Sequence, residues 1–286
     1  MMEESGFLVV DKPSGMTSHD VVAKVRKRFG TKRVGHAGTL DPMATGVLVI
    51  GINNATKFLQ FIVEGRKRYI AIIRLGIATV TDDKEGEVIA TREWSSVSNE
   101  QINQALSGFV GKIRQVPSSV SAIKVQGERA YDLVRQGKEV SLEAREVTID
   151  EIKVLAIHRD EYLDIDIDVS CSAGTYIRAI ARDLGNELGV GGHLIELRRI
   201  EVAPFSLQDS ENWESAKLIP LAEAITKVML VRELNFEELS EIKFGRQIEK
   251  SESNGAVAAL APNGEVVAIL ENRGDRAQPV SVFVKE

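Results

Sequence analysis

Apolar and polar positions along the chain alternate between short continuous runs and helical spacing. The run Gly6-Phe7-Leu8-Val9-Val10-Asp11-Lys12-Pro13 is apolar and closed by proline, which predicts a strand and then a turn at Ser14-Gly15. Thr17 or Ser18 is suited to cap a helix whose apolar positions Val21, Val22, Val25 and Phe29 share one face, until Gly30 stops it. Residues 34–46, rich in Gly and Thr, predict a loop, Val47-Leu48-Val49-Ile50 a buried strand, and 55–62 a short helix.

Further along, 68–75 has a strand-like pattern, 76–86 is a loop of Gly, Thr and Asp, and 99–109 is a helix opened by Ser98. Strands are predicted over 147–155 and 162–170. In the second, Leu163, Ile165, Ile167 and Val169 fall on one face and Asp164, Asp166 and Asp168 on the other. Three aspartates at period two fit the solvated face of an edge strand better than a metal site, because no histidine or fixed turn converges on them. Residues 175–188 form the clearest helical stripe, through Ile177, Ile180, Ala181, Leu184 and Leu188, ended by Gly189, Gly191 and Gly192. Beyond about Val231 the texture changes to short β pieces, two of them joined by the hairpin signal Pro262-Asn263-Gly264. A domain boundary near residue 230 follows. The expected fold class is α+β.

Composition adds limits. Apolar residues make up 43% of the 286, enough for a sizeable core. The single Cys171 excludes an intrachain disulfide framework and argues against a cysteine metal cluster. The opening Met-Met-Glu-Glu-Ser-Gly lacks the pattern of a signal peptide, and no segment sustains the roughly 18 apolar residues of a transmembrane helix. A cytoplasmic protein without membrane contact is expected. The net charge of −6 argues mildly against a nucleic-acid partner, but the charges are segregated. Lys24, Arg26, Lys27, Arg28, Lys32 and Arg33 occur between Val21 and Leu40 without one acid. A second run is Arg66-Lys67-Arg68, and Lys112, Arg114, Lys124, Arg129, Arg135 and Lys138 form a third. Any single run reads as a solvated face; three in one half of an acidic chain point to an anionic partner.

Asp41 lies in Gly38-Thr39-Leu40-Asp41-Pro42, held out of helical conformation by the proline. Gly38 and Gly46 flank it and permit close approach of a bulky ligand. Such a carboxylate can be nucleophile or base, although an isolated Asp-Pro is most simply a turn. Its neighbourhood changes that. His36-Ala37-Gly38-Thr39-Leu40-Asp41-Pro42-Met43-Ala44-Thr45-Gly46 resembles the signature of the TruB family of tRNA pseudouridine synthases, of the bacterial type. Residues 6–18 resemble its opening motif, Lys67-Arg68-Tyr69 its tyrosine motif, and Ser121-Ala122-Ile123-Lys124 with Gly127-Glu128-Arg129-Ala130-Tyr131 its insert motif. Cys171 to Arg178, followed by Leu197-Arg198-Arg199, resembles the remaining core. The motifs keep the family order over about residues 6 to 200.

The resemblance implies a mixed sheet with flanking helices and a central cleft over 1–230, an RNA-binding insert near 110–145, and a small PUA-like β domain over 231–286. It implies isomerisation of uridine to pseudouridine at position 55, in the TΨC loop of tRNAs. Uracil is detached at N1, rotated and rejoined through C5, so the base must leave its stack. Neither cofactor nor metal is implied, and the chain shows no phosphate-binding glycine loop or clustered His and Cys. Asp41 is the implied essential carboxylate, Tyr69 stacks on the target base, and Arg178 pairs with Asp41. Arg178 also carries an independent hint. With Thr175 as cap it falls in a first turn, where the helix dipole disfavours a cation, and off the apolar stripe, so a carboxylate partner would compensate. His36, Tyr176, Leu197 and Lys12 are implied substrate contacts; taken alone, His36 is a loop histidine and Leu197 core. The expected partner is the T-arm stem-loop of tRNA, bound by a monomer.

Three departures bear on RNA contacts: Val80 in the loop after Gly76, Val120 before Ser121, and Ser118 where proline is common. Rival readings are a ribosomal-RNA pseudouridine synthase, disfavoured by Thr39 and residues 12–16, and a non-catalytic RNA-folding factor, disfavoured by Asp41, Tyr69 and Arg178 together. A glycosidase reading lacks a second carboxylate.

Overall fold

The structure is a computed structural model that describes residues 4–118, 124–125, 128–129 and 142–283. Most of the insert motif, with Ser121 to Ile123, Gly127, Ala130 and Tyr131, and also Val120, Arg135 and Lys138, lies outside the described residues. The chain divides into two compact units. One comprises Met1–Asp41, Val47–Gly65 and Val202–Glu286, the other Pro42–Gly46 and Arg66–Glu201.

The first unit opens with strand β1 (Gly6–Lys12), buried at almost every position, and helix α1 (Ser18–Phe29). Thr17 caps α1 in a capping box with Asp20, and Gly30 closes it at φ 63°. The segment expected to be a loop over 34–46 contains strand β2 (Val34–His36), antiparallel to β3 (Thr45–Ile52). Its glycines concealed strand pairing that long-range hydrogen bonds supply. A 3-10 turn leads into helix α2 (Leu59–Val63).

The second unit is built on β4 (Lys67–Leu75), whose buried and exposed positions alternate. Strand β5 (Ile77–Thr79) lies within 76–86, where the sequence suggested only loop, and makes a small hairpin with β6 (Val88–Thr91) just beyond it. Helix α3 (Asn99–Ser107) starts at Ser98 with a Gln101 capping box. Strand β7 (Gly111–Gln115), short pieces β8 (Lys124–Val125) and β9 (Glu128–Arg129), and the long strands β10 (Arg145–Arg159) and β11 (Leu163–Cys171) follow. Helix α4 (Ile177–Glu187) and strand β12 (Gly192–Val202) complete the unit. The strand order is β12-β4-β11-β10-β7, and the start of β3 joins β12 in parallel, Thr45 opposite Arg198, so the sheet is mixed.

β11 is therefore interior, not an edge strand, and its aspartates are not simply solvated. Asp168 receives a bidentate pair from Arg68 at 2.9 and 2.6 Å, and Asp164 one from Arg74 at 2.8 and 2.7 Å, both arginines on β4. Asp166 meets His158 of β10 at 3.3 Å. Alternation at period two gave the correct face, but the partners come from strands about 90 and 100 residues distant in sequence.

From Val202 the chain is again in the first unit, through β13 (Phe205–Ser206), β14 (Ile219–Pro220), α5 (Leu221–Val228), β15 (Val231–Glu233), α6 (Phe236–Lys243) and β16 (Ile248–Glu249). Strands β17 (Val257–Leu260), β18 (Val266–Arg273) and β19 (Arg276–Val282) finish a five-stranded sheet ordered β15-β17-β18-β19-β16. β17 and β18 are antiparallel across the 262–264 turn, with Gly264 at φ 82°. Ala258 and Ile269 share one apolar cluster with Phe7, Val9 and Phe58, so the C-terminal sheet and the N-terminal strand bury each other.

One helical glycine has a packing cause. A Cβ on Gly185 of α4 would sit 2.1 Å from the Gly192 nitrogen and 2.2 Å from the Gly191 carbonyl carbon. Helix propensity alone favours Gly185→Ala by about 1 kcal/mol. The backbone collision instead predicts a loss of about 1–3 kcal/mol, read as a lower urea midpoint. An unchanged or higher midpoint contradicts this packing.

Candidate active site

Asp41 stands at the end of a segment anchored in the first unit. Ser18, the first residue of α1 and fully buried, accepts a hydrogen bond from the Leu40 nitrogen at 2.8 Å and donates to the Leu40 carbonyl oxygen at 3.2 Å. Upstream, the Ala37 nitrogen donates to the Val49 carbonyl at 2.9 Å, and Gly38 turns the chain at φ 89°. Ala37 and Leu40 are buried, whereas Asp41 is half-buried. The sequence thus sinks its apolar residues on either side of a bend and leaves the carboxylate at the surface of the anchored segment. His36 ends β2 and meets His19 of α1 edge to face, ring centroids 5.5 Å apart. Lys12 is fully buried; its ammonium donates to the carbonyls of Pro13 at 3.0 Å and Met16 at 2.6 Å, bracing the turn after β1.

Arg178 belongs to the second unit. It is the second residue of α4, in the first turn as expected, but Tyr176 rather than Thr175 is the N-cap and no side chain caps it. Thr175 instead donates to the Ser172 carbonyl at 3.1 Å. Nor does Arg178 face solvent: it is 5% exposed, because α4 is buried around most of its circumference. Its Nη1 donates to the Thr81 carbonyl at 2.9 Å, to Ser118 Oγ at 3.3 Å, and meets Asp83 Oδ2 at 3.3 Å. Asp83 also accepts from the Thr81 hydroxyl at 2.5 Å and from the Glu85 nitrogen at 3.0 Å.

The 79–83 turn is thereby an arginine receptor. Asp82 holds φ 59°, unusual for a residue with a side chain, and meets Arg182 of α4 at 3.3 Å. Burial pushes the Asp82 carboxyl above the ordinary range, with Arg182 acting against it. Ser118 is fully buried, and its hydroxyl donates to the Thr81 carbonyl at 3.0 Å while accepting from Arg178. A proline there could form neither bond, so this departure from the family pattern adds a link to Arg178. Gln115, at the end of β7, went unnoticed in the sequence. Its carboxamide accepts from the Tyr176 nitrogen at 2.8 Å and donates to the Tyr176 carbonyl at 3.1 Å, fixing the residue that starts α4. Only a lone polar residue ending a strand hinted at it.

Tyr69 lies on β4 opposite Val169 and is 7% exposed; Leu197 on β12 is buried, and Tyr176 is half-buried. In the second unit the structure thus gathers Arg178, Ser118, Gln115, Tyr176 and the 79–83 turn into one hydrogen-bonded network. In the first it gathers Ser18 and the Asp41 segment. Among the described residues no group of His, Cys, Asp or Glu is arranged to hold a metal ion.

This fold and these segments match known families. The model of the TruB family pseudouridylate synthase N-terminal domain matches residues 26–177. That of the tRNA pseudouridylate synthase B C-terminal domain matches 178–229, and that of tRNA pseudouridine synthase II, C terminal, matches 229–284. The chain belongs to the TruB family of pseudouridylate synthases. It is 50% identical over 295 residues to tRNA pseudouridine synthase B of Arthrobacter sp. (strain FB24), covering 98% of this chain and 96% of the relative. The enzyme of the same name from Thermobifida fusca (strain YX) is 46% identical over 287 residues, 97% of this chain and 98% of the relative. Among solved structures, a Cbf5-Nop10-Gar1 complex aligns with a TM-score of 0.70 at 25% identity, covering 98% of this chain and 85% of that one.

Two further ionisable groups in the second unit are perturbed. Lys67 is 7% exposed, and burial lowers its ammonium to about 8, with the Arg199 charge acting the same way. Cys171, opposite it on β11, is pushed up to about 11 by burial. Because Lys67 loses its proton more readily in the folded chain, its contribution to stability rises with pH from about 8 towards its unfolded value of 10.5. Cys171 opposes this between 9.0 and about 11, where the unfolded thiol ionises first. We therefore predict that unfolding free energy climbs by about 1 kcal/mol between pH 8 and 9 and then levels, and that Lys67→Met removes the climb. Urea titrations across this range check it; an equal climb in the variant contradicts the assignment.

Proposed function

We propose that this protein isomerises uridine to pseudouridine at position 55, in the TΨC loop of tRNAs, with Asp41 as the essential carboxylate. The observation that carries the reading is full-length similarity to tRNA pseudouridine synthase B, at 50% identity, in a chain whose Asp41 segment is anchored by a buried side chain. The C1′–N1 bond breaks with its electron pair leaving on the uracil, the base turns, C1′–C5 forms from the base's π electrons, and C5 loses a proton while N1 gains one. Asp41 takes part as nucleophile or base and is returned to its free carboxylate when C1′–C5 has formed. Arg178 holds the Asp41 carboxylate, an ion pair that a buried guanidinium favours. Tyr69 stacks on the everted base and assists proton transfer, and Leu197 forms an apolar wall against it. His36, Tyr176 and Lys12 complete the contacts around the nucleotide, Lys12 through the turn it braces.

Residues 1–230 carry the reaction, and 231–286 form a PUA-like domain that contributes RNA contact; a separate C-terminal family match from residue 229 supports that division. The enzyme acts as a cytoplasmic monomer on the T-arm. Among the described residues no helix is long and apolar enough to cross a membrane.

The test uses tRNA transcripts tritiated at uridine C5. Wild type is expected to release one equivalent of tritium per tRNA, and none beyond background once uridine 55 is replaced by cytidine. Equal release from the replaced transcript overturns the position. Arg178→Lys keeps the charge but loses the planar fork, so turnover should fall roughly 100-fold while tRNA affinity changes little. Weakened affinity at normal turnover contradicts the role given to Arg178.

A further inference from the structure

The first unit bears a cluster of cations that the chemistry at Asp41 leaves unused. Lys24, Arg26, Lys27 and Arg28 lie on α1, and Lys32 and Arg33 on the turn that follows; all six are exposed. Among the described residues none makes an ion pair. Arg26 donates to the Val34 carbonyl at 3.0 Å and Arg28 to the Trp213 carbonyl at 2.9 Å, while the Lys24 ammonium lies 4.6 Å from the centre of the Trp213 ring. Lys27, Lys32 and Arg33 make no such side-chain interaction among the described residues.

Nearby acids leave most of the cluster uncompensated. Asp20 accepts from Thr17 in the cap and feels only the charge of Lys24, one turn along the helix, among these cations. Glu211 and Glu214, flanking Trp213, make no ion pair with these cations. A helix C-terminus favours cations in its last turn, which accounts for Arg26, Lys27 and Arg28 but not for Lys32 and Arg33 beyond Gly30. The whole chain has 36 Lys and Arg against 42 Asp and Glu, so outside this segment 30 cations face 42 acids. The cluster opposes the sign of the rest of the molecule.

Its position follows from α1 itself. The N-terminal residue Ser18 grips Leu40 beside Asp41, and the C-terminal half carries the cations. Ten residues of helix separate Ser18 from Arg28, about 15 Å, or some four nucleotide rises along one strand of a duplex. A nucleic acid whose target nucleotide lies at Asp41 would bring flanking phosphates to this spacing. We propose that the exposed face formed by Lys24, Lys27, Lys32 and Arg33 is a docking strip for the phosphate backbone of duplex RNA flanking the target nucleotide. Trp213 holds Lys24 in place beneath it. The strip rests on the RNA-modifying reading above and extends it to a surface. It contributes affinity and orientation without reading sequence.

The test is the triple variant K27Q/K32Q/R33Q, chosen because these side chains serve no other interaction among the described residues. Its binding is compared with wild type on unmodified tRNA and on an unrelated RNA duplex of similar length, across a salt series. K153Q, at an exposed position of β10 in the second unit and outside the basic runs, serves as control. Each phosphate that a cation no longer neutralises lowers the slope of log affinity against log salt by about 0.9, so the triple variant should lose about two units or more on both RNAs. Its tRNA affinity at 0.1 M salt should fall at least about tenfold, with the control unchanged. Slopes equal to wild type on both RNAs overturn the strip, whatever the enzyme does to tRNA. If wild type shows no preference for tRNA over the duplex but the variant loses slope on both, the strip stands and the substrate reading falls.

Discussion

Ser18 holds Leu40 by both its backbone nitrogen and its carbonyl oxygen, in a buried site. Buried backbone groups must find partners, and a single hydroxyl that both accepts and donates gives one to each of the two successive peptide groups that meet at Leu40. Because Ser18 is also the first residue of α1, the orientation of that helix and the path of the segment carrying Asp41 become one structural decision. The capping box of Thr17 and Asp20 fixes where α1 begins, and with it where Ser18 points. Removing the hydroxyl would leave two buried backbone groups to be satisfied elsewhere, which the packed Ala37 and Leu40 do not readily allow.

The second unit solves the same problem in the same way. Gln115 grips the backbone nitrogen and carbonyl oxygen of Tyr176, two residues before Arg178. The buried guanidinium then finds its donors' partners in a turn made for it, through Thr81, Asp83 and Ser118. Burying an arginine is costly unless its charge is paired and its hydrogen bonds are met, and a site that meets them fixes the side chain in one geometry. Both clamps put a polar side chain from one element against the backbone of another. That is a way to hold a loop rigid without lengthening any regular element.

Much of this architecture was readable in the residues. The periods of α1 and α4, the Ser98 cap and the 262–264 hairpin are local signals, and local signals survive in a single sequence. Alternation in β11 separated its faces correctly, yet placed it at an edge, because the arginines that occupy its aspartates are on β4. The strand β2 was hidden by Gly35 and His36, residues with little strand preference that pair because β3 lies alongside. Asp41 and Tyr69 stand as candidates on motif resemblance alone, and Arg178 on that resemblance together with its place in the first turn of α4. Gln115, Ser118 and Asp83 were not legible, since their significance lies in partners 61, 60 and 95 positions away along the chain. Charge was the converse case: the acid-free run from Lys24 to Arg33 was plain in the sequence, and the structure added that none of its cations makes an ion pair among the described residues.

Under the proposed function, Asp41 acts on the bound nucleotide and is not merely part of a well-anchored turn. Single-turnover tritium release from tRNA by Asp41→Asn, alongside its tRNA Kd, separates the two. Release is expected to be at least about 1000-fold slower than wild type, with Kd within about threefold, because Asn keeps the shape but removes the negative charge and with it the carboxylate's nucleophilicity and basicity. Release within about tenfold of wild type by a variant that binds tRNA normally would contradict it.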